Sequence, residues 1–312
     1  MHLPPALQQE LSRRRLTAAH ARAQGGSGER ASRAKGSGSE FADFRPYQPG
    51  DDIRSLDARV TARLGVPVVR EFVLAQQLPI LLLLDASASM RLGNMGPGRP
   101  AKFELARQLA ATLAFVALAG GDLVQAASFG AELRVSPRMQ GVNRASELLG
   151  WLGASHVAER GSTGAMTLSD ALSATAGRAP RGALVIVVSD FLSEDAPDAL
   201  GLAHARRQEV LAVQVLAPEE LDPAQLFGGK SGSDKSSSDR SAVRLNDVES
   251  GEHAVVLLDA ATLERYRAAL NAWTETLRQR LSQHGGRLVQ ARSDQRLETV
   301  VLRELLARDV IR

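Results

Sequence analysis

The chain has 312 residues, of which 44% are hydrophobic and 23% are charged, a composition typical of a globular protein with a sizeable core. It contains no cysteine, which excludes disulfides, thiolate metal ligands and cysteine nucleophiles. The formal net charge is only +3, and no apolar run approaches the roughly 20 residues that a membrane helix needs. We therefore expect a cytoplasmic protein without a membrane span, whose chemistry comes from oxygen or imidazole groups.

Residues 1–40 are predicted to form a basic helix followed by a flexible linker. Apolar residues recur at helical spacing between Ala6 and Arg22, and the Gly/Ser-rich run GGSGERASRAKGSGSE follows them. The arginines in this part of the chain are not interleaved with aromatic residues, which indicates a solvated face rather than a nucleic-acid site. No nucleic-acid partner is expected.

Residues 41–78 are predicted to form a β-rich N-terminal segment. Aromatic or aliphatic residues alternate here with charged ones, and Pro49-Gly50-Asp51-Asp52 is typical of a turn that leads into a short helix. Charges of both signs are dense between Arg45 and Arg63. We expect them to form internal ion pairs, several of them partly buried.

From residue 79 to residue 312 the pattern alternates between strand and helix. The apolar runs Ile80–Leu84 and Ala183–Val188 are typical of buried parallel strands. This alternation predicts an α/β fold with a doubly wound, mostly parallel sheet flanked by helices. The polar run near 228–241 is expected to be a disordered insert, and because a strand is predicted again at Arg287–Ala291, we expect no separate C-terminal domain.

Oxygen-bearing side chains follow the buried strands of this sheet. The first strand leads into Asp85, Ser87 and Ser89, the second leads into Asp190, and the loop Gly161–Thr167 carries threonines. Loops at the carboxyl ends of neighbouring strands meet at one crevice, and hard oxygen ligands suit Mg²⁺, Mn²⁺ or Ca²⁺. Because hydroxyl ligands are neutral, a cation held there can accept an acidic side chain from a partner. The alternative is that these residues only cap helices.

This pattern resembles the metal-ion-dependent adhesion site of von Willebrand factor A domains. The run FRPYQPGDDIRSLDARVTARLGVPVVREF ahead of the first strand, together with the segments VVSDF and RLNDVESG, resembles the domain of unknown function 58 family. The resemblance implies a von Willebrand factor A-like fold and the metal ligands Asp85, Ser87, Ser89, Thr167 and Asp190. Thr163, which lies in the same small-residue loop, is an open alternative to Thr167.

The resemblance also implies a non-enzymatic protein-interaction module that works with a MoxR-type AAA+ ATPase in the assembly or maturation of client proteins. A phosphoryl-transfer enzyme with Asp85 at its centre is disfavoured, because the second acidic residue expected two positions later is Ser87. A serine hydrolase is disfavoured because no G-x-S-x-G motif surrounds either serine. A structural scaffold that binds no metal is the remaining alternative.

Overall fold

A computed structural model of the chain describes residues 3–18, 31–32, 40–75, 77–92, 102–159, 165–226, 241–246 and 253–312. Two compact units are present, one formed by Met1–Thr17 with Leu78–Arg312 and the other by Ala18–Gln77. Most of the predicted linker, at 19–30 and 33–39, lies outside the described residues, as does the predicted insert at 227–240.

The regular elements of the described residues are short strands and mostly short helices. The strands are β1 (Ala31–Ser32), β2 (Glu40–Pro46), β3 (Val68–Ala75), β4 (Pro79–Asp85), β5 (Leu123–Phe129), β6 (Arg134–Val135), β7 (Met139–Gln140), β8 (Leu184–Ser189), β9 (Glu209–Leu216), β10 (Ser241–Asn246), β11 (His253–Leu258) and β12 (Arg287–Arg292). The helices are α1 (Pro5–Leu11), α2 (Ala58–Leu64), α3 (Lys102–Ala119), α4 (Ala145–Gly153), α5 (Leu168–Thr175), α6 (Ala196–Ala205), α7 (Pro218–Leu221), α8 (Ala260–Ser282) and α9 (Leu297–Val300).

The larger unit is built on a seven-stranded sheet with the order β12-β9-β8-β4-β5-β6, and β7 also pairs with β5. The five strands from β12 to β5 are parallel, whereas β6 and β7 are antiparallel to β5. β10 and β11 form a separate antiparallel hairpin ahead of α8. No helix within the described residues is long and apolar enough to cross a bilayer.

Helices cover both faces of the sheet, which explains why its central strands are apolar throughout. All side chains of β8 and β9 are buried. Leu81, Leu83, Val185 and Val187 pack on one face against α5, α6 and α8. Since successive side chains of a strand point to opposite faces, the residues between them face α3, which packs against β4 and β8. The predicted doubly wound α/β class is confirmed.

α3 lies inside the larger unit rather than on its surface. Of its 18 residues, 14 are buried, and its first residue, Lys102, is among them. A helix that is apolar on nearly all sides belongs in a protein interior. Lys102 therefore lies in the interior, at the N-terminal end of α3. This end of the helix comes after the loop that follows β4.

The first residues of the chain belong to the larger unit. α1 buries two leucines, and the chain then pairs with the C-terminal residues through an antiparallel bridge between Leu16 and Ile311. The backbone N–H of Arg15 donates to the Arg312 carbonyl at 2.7 Å, and the Arg312 N–H donates back at 2.9 Å. The helix predicted over Ala6–Arg22 therefore ends at Leu11, because the following residues form this extended pairing.

The smaller unit contains a three-stranded antiparallel sheet with the order β1-β3-β2. Asp57 caps α2 by accepting two backbone N–H groups, and its second oxygen is 2.6 Å from Arg70. Arg45 and Asp51 form a bidentate pair at 2.6 and 2.7 Å. Among the described residues, the charge-rich segment thus takes part in the pairs Arg45–Asp51 and Asp57–Arg70, and Asp57 is buried.

Candidate metal centre

The two strand-end aspartates predicted as ligands lie at the same edge of the sheet. β4 ends at Asp85, and β8 ends at Ser189, immediately before Asp190. The two strands are parallel neighbours, with Leu84 opposite Val188. Both loops therefore leave the carboxyl edge of the sheet side by side, where open α/β sheets bind their ligands.

Asp85 is a buried carboxylate that joins the two loops. One of its oxygens accepts the Ser87 N–H at 2.8 Å, and the other accepts the Ser189 hydroxyl at 2.5 Å. Burial, followed by the negative charge of Asp190, raises the pKa of Asp85 to about 6. The two aspartates are thus close enough to repel each other, a repulsion that a bound cation relieves.

Ser87 and Ser89 present their hydroxyls together beside the aspartates. Their Oγ atoms are 3.0 Å apart. Neighbouring ligands of an octahedral Mg²⁺, each about 2.1 Å from the ion, are about 3.0 Å apart. The spacing of the two hydroxyls therefore fits adjacent positions around such an ion. Ser87 is buried and Ser89 is half-buried, so the cluster reaches solvent on the Ser89 side.

Gly130 allows the neighbouring loop to approach the D-x-S-x-S turn closely. A Cβ atom on Gly130 would lie 2.4 Å from the carbonyl oxygen of Ala86 and 3.1 Å from the Ser87 nitrogen. The Ala86 backbone is also held by hydrogen bonds of 2.7 Å to the Phe129 carbonyl and from the Ala158 N–H. The turn that carries the serines is therefore held by backbone contacts on several sides.

Thr167 lies on a third loop, next to this turn. Its hydroxyl bonds to Asp170 rather than to the aspartate and serine cluster. The N–H of Met166 donates to the Gly130 carbonyl at 2.7 Å, which places the loop beside the turn. The hydroxyl of Thr167 caps α5: it accepts the Asp170 N–H at 3.1 Å and lies 3.0 Å from the Asp170 carboxylate. Thr163 lies outside the described residues. The choice of the threonine ligand therefore stays a prediction.

Lys102 was not predicted as a site residue, although it contacts one of the predicted ligands. Its side chain is 0% exposed, and its Nζ is 2.7 Å from Oδ2 of Asp190 and 2.7 Å from Oε1 of Glu220. Burial alone would lower the pKa of Lys102, but the two carboxylates outweigh burial and raise it. In turn, burial raises the pKa of Asp190, while Lys102 more than offsets that effect and lowers it.

The cluster has more negative than positive charge. When all its members are ionised, the carboxylates of Asp85, Asp190 and Glu220 outnumber the ammonium of Lys102, and the net charge is −2. Buried charges are costly unless they are paired, so one divalent cation would balance this cluster. Burial raises the pKa of Glu220, which is the direction expected for a carboxyl group in such surroundings.

The donor set fits a hard divalent cation held partly by hydroxyl oxygens. No group of three or more His, Asp or Glu side chains within the described residues is placed to hold a metal by itself. Glu220 is engaged by Lys102 and by the Ala217 N–H, so we take the side chains available to the ion to be Asp85, Asp190, Ser87 and Ser89. Two carboxylates and two neutral hydroxyls are hard ligands that suit Mg²⁺, Mn²⁺ or Ca²⁺.

Sequence reasoning missed Lys102 and Glu220 because the residues that they contact are far away in the chain. A signal was nevertheless present for the lysine: it stands in the first turn of a helix that is apolar on nearly all sides, where a positive charge opposes the helix dipole. Glu220 lies in α7, the short helix after the fully buried strand β9. It caps the start of this helix by accepting the Ala217 N–H. A charged residue a few positions after a buried strand is a candidate for this edge of the sheet.

The structure thus defines a class of protein: a doubly wound α/β domain with hard oxygen donors at the carboxyl edge of its sheet. The chain belongs to the family described as "Protein of unknown function DUF58", whose model matches residues 43–276.

Individual relatives add resemblance but no established activity. The uncharacterized protein Rv1480 of Mycobacterium tuberculosis is 33% identical over 181 residues, which cover 58% of this chain and 56% of that protein. The chain thus spans little more than half the length of the curated relatives that it matches. BatB from Bacteroides thetaiotaomicron is 17% identical over 75% of this chain and 97% of its own, with a TM-score of 0.44. The SpRpn10 VWA domain is 11% identical over 73% of this chain and 95% of its own, with a TM-score of 0.40.

Proposed function

We propose that this protein is a non-enzymatic interaction module that binds a protein partner through a divalent cation. The observation that carries the proposal is the cluster at the carboxyl edge of the sheet, where hydrogen bonds join Asp85 to Ser87 and Ser87 to Ser89, and Lys102 links Asp190 to the Ser89 carbonyl. Mg²⁺ is the first candidate cation, with Mn²⁺ and Ca²⁺ as alternatives. Asp85, Ser87, Ser89 and Asp190 would hold it, and a threonine of the third loop would complete the set.

The chemistry of the ligands supports binding rather than catalysis. With two hydroxyls among its protein ligands, the bound cation keeps much of its positive charge and attracts another carboxylate. Ser89 is half-buried and Thr167 is exposed, so a ligand can approach from the solvent side of these two residues. The proposed partner is therefore a protein that offers an acidic side chain to the cation.

The proposed place of this interaction is the assembly or maturation of client proteins together with a MoxR-type AAA+ ATPase. Support for it comes only from what the resemblance of the sequence to this family implies. Capture of such an ATPase by the purified protein, with Mg²⁺ or with chelator, tests the idea. ATPase captured equally well in chelator would contradict metal-dependent binding, and no capture in Mg²⁺ would contradict the partner.

Calorimetric titration with Mg²⁺ and Mn²⁺ tests the cation itself. Wild type is expected to bind one ion, Asp85→Ala to bind none, and Ser89→Ala to bind more weakly. Ser282→Ala, which removes an exposed serine at the end of α8, is the matched control and is expected to bind like wild type. Absence of binding in wild type, or equal binding in all four proteins, would refute the proposed metal site.

A scaffold that binds no metal is the second candidate, and Lys102 is the observation that favours it. Its ammonium already supplies one positive charge to Asp190. A cation that binds only the folded state raises the melting temperature, and the rise grows with the logarithm of its concentration above Kd, so unchanged melting in Mg²⁺ and in Mn²⁺ would favour the scaffold. A Mg²⁺-dependent phosphoryl-transfer enzyme would be supported by turnover of a phosphate ester that is lost in Asp85→Ala.

A further inference from the structure

The ammonium of Lys102 is a fixed positive charge in contact with a proposed metal ligand. Its side chain is fully buried, and lysines are almost never buried in this way unless their charge is paired. We propose that Lys102 is the positioning residue of the cation site and that it limits the affinity of the site for divalent ions. This inference rests on the proposed function.

The contacts of Lys102 show how it positions Asp190. Nζ is 2.7 Å from Oδ2 of Asp190, and the other oxygen, Oδ1, accepts the Leu192 N–H at 3.1 Å. The carboxylate is therefore held at both oxygens before any ion binds. Nζ also lies 3.4 Å from the Ser89 carbonyl and 2.7 Å from Glu220. One ammonium thus joins the loops that follow β4, β8 and β9.

The charge of Lys102 also opposes a second cation. A divalent ion on Asp190 has this ammonium as a close neighbour, because Nζ and the carboxylate are 2.7 Å apart. At an effective dielectric constant of about 20, repulsion between charges a few ångströms apart changes an affinity by at least about tenfold. The net charge of the cluster is −2 in wild type and would be −3 without Lys102, so the lysine makes binding weaker and more readily reversible.

Glu220 gives the inference a variant with the opposite expected sign. Glu220→Gln removes the negative charge of the second partner of Lys102 and leaves the pair with Asp190 in place. Its affinity for a divalent ion is expected to fall, whereas that of Lys102→Met is expected to rise. If Lys102 had only a structural role, both substitutions would disturb the site and weaken binding.

Affinity for Mn²⁺ and Mg²⁺ is measured by calorimetry, and melting temperature is measured in chelator and in Mg²⁺. Lys102→Met is expected to bind at least about tenfold more tightly than wild type, Glu220→Gln several-fold more weakly. In chelator, Lys102→Met is expected to melt roughly 10 °C lower than wild type, because it leaves two buried carboxylates unpaired. Addition of Mg²⁺ is expected to raise the melting temperature of Lys102→Met by more than it raises that of wild type. Arg287→Met, which removes a partner of the buried Glu209 at the opposite edge of the sheet, is the control: destabilised, with unchanged affinity.

The possible results separate this inference from the proposed function. If wild type binds and both variants shift in the same direction, or neither shifts, the role of Lys102 is overturned and the metal site stands. If only Lys102→Met binds, the lysine is the resident cation and the metal dependence of wild type is refuted. Absence of binding in all variants overturns both. If Lys102→Met does not fold, Glu220→Gln decides alone, and an unchanged or tighter affinity overturns the inference.

Discussion

Replacing Gly130 with alanine is expected to destabilise the protein and to displace the turn that carries Ser87. The added Cβ would lie 2.4 Å from the Ala86 oxygen and 2.7 Å from the Ala86 carbonyl carbon, so the backbone has to move by about 1 Å to reach ordinary contact distance. The Ala86 oxygen also accepts the Ala158 N–H, and the Ala86 N–H donates to Phe129, both at 2.7 Å. Weakening two hydrogen bonds and overpacking the turn together cost about 2–4 kcal/mol.

Urea unfolding measures this change, and Gly150→Ala is its matched control. Gly150 lies inside α4, no atom lies within 4 Å of its added Cβ, and alanine is the better helix former, so this variant is expected to gain about 0.5–1 kcal/mol. Because Gly130→Ala moves the serine turn, it is also expected to weaken Mn²⁺ binding, whereas Gly150→Ala is not. A Gly130→Ala protein as stable as wild type would refute the close approach of the two loops.

Other expectations concern pH and the support of the site. In chelator, the folded state binds a proton on Asp85 more tightly than the unfolded state does, because the pKa of Asp85 is raised from 3.8 to about 6. Stability is therefore expected to fall by about 2 kcal/mol as pH rises from 4 to 6, and Asp85→Asn should remove this dependence. Gln214, which is fully buried, donates to the Asp190 carbonyl at 2.9 Å, and Gln214→Met is expected to cost about 2 kcal/mol in urea unfolding; no loss would contradict a supporting role. Burial, and after it the stacked His284, lowers the pKa of His204. Stability is therefore expected to be lost as pH falls from 6.5 through that lowered pKa. Thermal melting at several pH values should show this loss in wild type and not in His204→Phe.

The parallel sheet was predictable from the sequence because burial on both faces leaves a direct trace. A strand covered by helices on each side has to be apolar at every position, and the runs ending at Asp85 and Ser189 have that form. The same runs place a polar residue where the apolar pattern stops. That is why both strand-end aspartates could be identified as candidates without any knowledge of the pairing between β4 and β8.

Contacts between distant residues left no comparable trace. Lys102 is 88 positions from Asp190 and 118 positions from Glu220, so nothing in the local pattern indicates that the three meet. The N-terminal helix was predicted to be too long for a related reason. Leu16 continues the apolar spacing of the helix, but tertiary pairing with Ile311 overrides the local preference.

The pairing of Leu16 with Ile311 also has a consequence for the order of folding. Residues 15–17 bond to residues 309–312, so these early residues have to wait for the last ones before they reach their final place. Closing a loop of this length costs chain entropy that nearby contacts do not repay, and pairings between remote residues form slowly. Docking of the first segment is thus expected to be a late step, after the sheet has assembled around β4 and β8.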